Sequence, residues 1–302
     1  MNEFIITLRE CLEASLIIGI MYTVLDKQSL SAQKKYLWAA VFLSILASAV
    51  LGVVLYRVLE RVGDTGLKEI LEGVLMYITA ALLFYVIFWM NKNLASRKQI
   101  TDQTNAAMEA GKWGLFFLVF FAILREGFET ALFLVASASI DQGFSYLGFF
   151  GGIFLAAFLG YLIVVQGKKL DLRKFFSYTT FLLVFFAAGM VAHGTYELHE
   201  YAELKEAREH PGMEEHESKV FDIFKSKTEA DNPNSFWYTK HEDGSYVHLM
   251  NDEGRIGGFL KGLLGYDTDP IWLEVILWFI SVSAGLFFWY RMYVVKPAVA
   301  SR

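Results

Sequence analysis

Two short runs carry residues able to do chemistry in a place where charge is expensive. Arg9-Glu10-Cys11-Leu12-Glu13 and Arg125-Glu126-Gly127-Phe128-Glu129 both read Arg-Glu-x-x-Glu, and each lies within an apolar run. The second run, Trp113 to Ala138, is otherwise uncharged. A charge at the centre of a membrane helix costs about 2.5–3.5 kcal/mol on insertion scales, so three unpaired charges approach about 8–10 kcal/mol. Residues three apart on a helix share a face, which sets Glu10 beside Glu13 and Glu126 beside Glu129. Arg9 and Arg125 stand one position to the side, near enough to neutralise part of the charge or to orient a carboxylate. Neighbouring Arg and Glu do not face one another on a helix, which weighs against each motif neutralising itself. If the two faces meet, four carboxylates and two guanidinium groups leave a formal −2. Oxygen-only ligation of that charge suits a hard cation such as Mg²⁺, Ca²⁺, Mn²⁺ or iron, above all Fe³⁺. The competing reading is a structural ion-pair network, disfavoured because charges inside a membrane are functional by default.

The elements that must position these groups are membrane helices. A chain of 302 residues, 55% hydrophobic and 16% aromatic with four Pro, has the composition of an all-α polytopic membrane protein. Seven transmembrane spans are predicted, at about 4–25, 36–59, 70–90, 113–138, 145–166, 175–198 and 271–293. The first carries charges and lacks a small-residue cleavage site, so it is expected to be a retained span and not a signal peptide. Lone Cys11 excludes an internal disulfide. Segments 26–35, 91–112 and 167–174 and the tail from Arg291 are basic, while the alternate segments are neutral or acidic. The positive-inside rule therefore puts the N-terminus outside and the C-terminus in the cytoplasm.

An internal repeat follows. Residues 9–16 align with 125–132 at an offset of 116, with three spans between the copies. The expectation is a single transmembrane domain over residues 1–302, built as an inverted three-plus-three repeat. Repeat A covers about 4–90 and repeat B about 113–198, followed by an acidic, His-rich outer loop at 199–270 and a seventh helix at 271–293. Such repeats place a substrate site near the midplane, where the halves meet.

Taken together, these residues resemble the high-affinity iron permease family, which includes fungal iron permeases and bacterial ferrous/ferric uptake permeases. The likeness also takes in Glu72-Gly73, the Ala192–Glu200 end of span six and Leu263–Asp267. It implies a multi-pass permease of the plasma or inner membrane, not an enzyme and with no prosthetic group. The implied substrate is Fe³⁺ or Fe²⁺, moved inward through Glu10, Glu13, Glu126 and Glu129, with Arg9 and Arg125 as partners. A separate outer oxidase or iron-delivery protein is an implied partner, and a homo-oligomer stays open. The family usually has Gly at the third motif position, as at Gly127. Cys11 departs from this, either widening a helix contact or lying beside the ion.

Other candidates are weaker in pattern. His193, Glu197 and Glu200 fall at i, i+4 and i+7 near the outer end of span six, and Glu72 lies at a comparable depth. They read either as the place where metal enters or as a helix end reaching into water. Residues 199–270 hold 16 acidic and 8 basic residues, and every His in the chain falls between 193 and 248. Such a segment either concentrates cations at the mouth or is simply a solvated loop. Within it, 200–224 is expected to extend span six as a polar helix and 235–252 to form a hairpin. Gly148, Gly151, Gly152 and Gly160 predict close helix contact in span five. Scattered basic residues argue against nucleic-acid binding. An intramembrane metalloenzyme is disfavoured because neither His-Glu-x-x-His nor Glu-x-x-His occurs. The short tail gives no expected output domain for a sensor. The main alternative is a transporter of another divalent metal, Pb²⁺ or Mn²⁺.

Overall fold

In a computed structural model, the described residues are 2–61, 67–92, 97–141, 144–164, 166, 172–209, 219–221, 223–228, 231, 236–240, 245–252 and 254–295. They form α1 (Asn2–Lys27), α2 (Ser31–Arg61), α3 (Leu67–Lys92), α4 (Arg97–Glu109), α5 (Gly111–Asp141), α6 (Tyr146–Val164) and α7 (Leu172–Glu209). A two-stranded antiparallel sheet of β1 (Tyr238–Lys240) and β2 (Tyr246–His248) comes next, then α8 (Arg255–Leu264) and α9 (Trp272–Tyr290). α2, α3, α6, α7 and α9 are long and apolar enough to cross a membrane. The protein is therefore an all-α polytopic membrane protein. α1 and α5 have comparable lengths of 26 and 31 residues, and each carries one Arg-Glu-x-x-Glu motif part-way along.

The helices pair in a crossed manner. α1 packs chiefly on α6, α5 on α2, α3 on α7, and α9 on α7, while α1 and α5 also touch each other. Two apolar clusters bracket the α1–α5 contact. One joins Met21 and Leu25 to Leu37, Ala40, Val41, Ile100, Leu115, Val119 and Ile123. The other joins Ile6 to Leu132, Phe133 and Ala136 together with residues of α3 and α7. The start of α1 thus meets the end of α5 and the reverse, so the two helices run antiparallel with their motifs between the clusters. Outward faces stay apolar, as a lipid solvent requires: Phe42, Ile45 and Val53 on α2 and Phe154 on α6 are exposed.

Small residues set the α1–α6 distance. A Cβ on Gly152 would overlap the Thr7 hydroxyl and lie 2.8 Å from the Phe4 carbonyl, and one on Gly160 would lie 2.7 Å from Ser15 Cβ. Between them, Cys11 packs against the cluster of Leu8, Leu12, Ala156 and Phe176. Cys11 therefore lies in the helix contact, with the small partner supplied by α6. In the other half the order is reversed, and Gly127 itself makes room for Ser48 of α2. Gly152→Ala is expected to cost about 1–3 kcal/mol, since beside the Thr7 hydroxyl it meets backbone atoms of Phe4 and Leu8 that cannot yield. Gly151→Ala should be neutral or slightly stabilising, because its Cβ would meet only the Phe4 ring at 3.6 Å. Thermal midpoints of the two detergent-solubilised variants check the contrast.

Two helices lie where the sequence reading has loops. α4 falls in the basic segment 91–112; Ile100, Thr104 and Met108, four residues apart, give it one face that docks between α1 and α5. α8 falls inside the 199–270 segment. It ends on Gly265, whose φ of 70° and contact with the backbone of Gly189 leave no room for a side chain. Trp278 Nε1 donates to the Leu264 carbonyl at 2.7 Å, which fastens the end of α8 to α9. α7 continues as a polar helix beyond its apolar part through Glu209; of the expected extension over 200–224, residues 210–218 lie outside the described residues and 219–221, 223 and 224 are not helical. The expected hairpin is present as β1 and β2; its turn at 241–244, with His210, His216 and the loop lysines 168 and 169, lies outside the described residues.

Candidate metal centre

The two motifs meet. Carboxylate oxygens of Glu10 and Glu13 on α1 and of Glu126 on α5 all lie within 4.8 Å of one another. Glu129 is outside this trio, yet within electrostatic range of Glu13, Glu126 and Arg9. Glu10 and Glu126 are buried, at 1% and 2% exposure, and Glu10 Oε2 has no hydrogen-bond partner. Glu13 and Glu129 are mostly buried.

One expectation needs correction. Neighbouring Arg and Glu do pair: Arg9 Nη1 lies 2.5 Å from Glu10 Oε1, and Arg125 Nη2 lies 2.5 Å from Glu126 Oε1. The arginine side chain is long enough to fold across the helix surface, which the spacing of Cβ positions does not convey. Each guanidinium also reaches the i+4 carboxylate, Glu13 at 3.2 Å and Glu129 at 3.6 Å. The two motifs are not equivalent. Arg9 is buried at 1% exposure and sits in the field of all four carboxylates, whereas the Arg125 side chain is 47% exposed.

Local architecture holds these groups at fixed heights. Ser44 donates to the Phe120 carbonyl at 2.9 Å, tying α2 to α5 two turns before Glu126. Thr130 donates to the Glu126 carbonyl at 2.7 Å. Chemically, three close carboxylates beside two guanidinium groups present oxygen donors only, the donor type that hard cations take.

The outer candidates divide. Glu72 on α3 and Glu197 and Glu200 on α7 act on one another, joined by Glu69 and Lys68. α3 and α7 approach closely here, with Gly73 and Gly194 against each other. His193 does not join that group. It lies with Asp267 and Glu274, so the i, i+4, i+7 stripe serves two neighbours. α7 runs between α3 and α9, and a side chain one turn deeper on its edge meets the first turn of α9. Glu274 is not among the candidates drawn from the sequence, although an acid in an apolar span is a usable signal.

An all-helical membrane protein with clustered carboxylates between its helices has the build of a cation permease. The profile of the Iron permease FTR1 family matches residues 1–220, both motifs included, and the chain belongs to that family. It is 29% identical to the ferrous iron permease EfeU of Escherichia coli O6:K15:H31 (strain 536 / UPEC) over 291 residues, 94% of this chain and 92% of the relative. EfeU of Yersinia pestis is 28% identical over 94% of this chain and 90% of its own. An uncharacterized protein of Archaeoglobus fulgidus is 29% identical over 97% and 95%. No solved structure matches significantly. The protein is thus a multi-pass membrane iron permease.

Proposed function

We propose that the protein moves iron inward across the cell membrane, binding it at Glu10, Glu13, Glu126 and Glu129 with Arg9 and Arg125 as charge partners. The observation that carries this reading is the trio of carboxylates from two antiparallel helices within 4.8 Å. In this reading α1 and α5 cross the membrane with the five more apolar helices, giving seven spans, the N-terminus outside and the C-terminus inside. The crossed pairing supports an inverted repeat: first on fifth, fourth on second and third on sixth exchange the two halves. Transport is then a rocking of those halves about a fixed site.

Glu72, Glu197 and Glu200 form the outer capture site in this scheme, fed by the acidic 199–270 segment and by a separate oxidase or delivery protein. The oxygen donors accept Fe³⁺ and Fe²⁺, and the relatives named ferrous permeases favour Fe²⁺ as the ion presented. Mn²⁺ has similar ligand demands and is the natural competitor.

Radioiron uptake by proteoliposomes tests the proposal. Saturable inward uptake that a ferrous-trapping chelator suppresses is the expected result. Uptake no faster than in protein-free vesicles, with or without chelator, refutes it.

A further inference from the structure

Away from the motifs, His193 on α7, Asp267 in the segment after α8 and Glu274 in the first turn of α9 bring one ring nitrogen and two carboxylate oxygens within 4.8 Å of one another. His193 is 5% exposed and Glu274 2%. Each keeps unpartnered atoms: among the described residues, His193 Nε2 and both Glu274 oxygens lack hydrogen-bond partners. The Glu274 carboxylate lies near the Ile271 backbone but short of a hydrogen bond. A helix N-terminus explains one acid at that place. It does not explain an unpartnered imidazole nitrogen aimed at two carboxylates, because buried polar groups left unmade are costly.

The surroundings suit a ligand set. The other ring nitrogen of His193 faces the Lys261 backbone carbonyl, the arrangement that fixes the orientation of a metal-bound histidine. Neighbouring charges are already paired. Lys261 binds Asp252 at 2.9 Å, and Lys219 binds Asp269 at 2.7 Å. Asp252 also accepts from Thr268 at 3.0 Å, and together with Lys261 this holds its carboxyl below the ordinary range against the opposing effect of burial. Among the described residues, the local excess is therefore the −2 of Asp267 and Glu274. Three elements are locked around it by the Gly189–Gly265 contact and the Trp278 hydrogen bond.

We infer that His193, Asp267 and Glu274 bind a divalent transition-metal ion at a second centre, one helical turn deeper on α7 than Glu197. A mixed nitrogen and oxygen set favours Fe²⁺, Mn²⁺ or Zn²⁺ over Ca²⁺ and Mg²⁺, whereas the motif site offers oxygen alone. Water completes the coordination. This inference goes beyond the transport reading and does not depend on which ion the motifs carry.

The test loads full-length, chelator-stripped protein in detergent with Mn²⁺, counts bound ions by equilibrium dialysis and records pulsed EPR for nitrogen coupling. The wild type should show an imidazole nitrogen coupled to Mn²⁺. His193→Ala should abolish that coupling and lower the stoichiometry by one ion, while a Glu126→Gln/Glu129→Gln double variant keeps it. Glu274→Gln retains the imidazole and should weaken this class of ion at least tenfold. Wild-type protein without nitrogen coupling overturns the inference whatever the variants do, and so does coupling that persists in folded His193→Ala. Failure of the motif reading looks different: the double variant would transport iron normally with the His193 signal unchanged.

Discussion

Glu126→Gln is expected to reduce iron uptake in proteoliposomes by more than about a hundredfold, with Glu10→Gln and Glu13→Gln close behind and Glu129→Gln milder. Gln keeps the shape and removes the charge, so packing is nearly constant across the set. Changes to groups that only support a metal ligand cost about 10–100-fold, and removal of a ligand should exceed that. The ranking comes from geometry. Glu10, Glu13 and Glu126 present oxygens within 4.8 Å of one another, while Glu129 stands beside that trio. Uptake rates for the four variants, normalised to protein with an unaltered gel-filtration profile, check it. Four equal effects would mean that Glu129 is a full ligand; no effect at Glu126 would remove the site altogether.

Arg9→Ala is expected to destabilise the protein by about 3–5 kcal/mol, because breaking a buried pair leaves uncompensated charge behind. Arg125→Ala should cost far less, about 1 kcal/mol, since its 47% exposed side chain holds its partners less tightly. Bound Mn²⁺ or Fe²⁺ should recover much of the Arg9→Ala loss, as a cation at the carboxylates supplies the positive charge that the guanidinium provided. Thermal midpoints with and without metal measure both parts. Equal losses for the two arginines, or no recovery on adding metal, would contradict the asymmetry drawn from their burial.

The motif helices were readable in the sequence because charge inside an apolar run is rare and a repeated spacing is rarer. Each of the seven predicted segments overlaps a long helix, and five of those helices are long and apolar enough to cross a membrane. What escaped was local pairing and short amphipathic structure. The Arg9–Glu10 contact depends on side-chain reach, which residue spacing does not carry. α4 has only Ile100, Thr104 and Met108 to mark its buried face, and a basic segment hides so weak a pattern. The companions of His193 come from 74 and 81 residues further along the chain, and only the fold of α8 onto Gly189 brings them near.

The two greasy plugs at either end of the α1–α5 contact have a consequence for energy coupling. On the proposed reading, an ion held at the carboxylates lies between these two apolar clusters and would reach either side only when one of them parts. In that scheme one cluster parts while the other stays shut, and α4, packed into the Met21–Ile123 cluster through Ile100, helps hold that cluster together. Loosening that hold should show itself first as leak of small ions down their gradients, before any loss of iron binding.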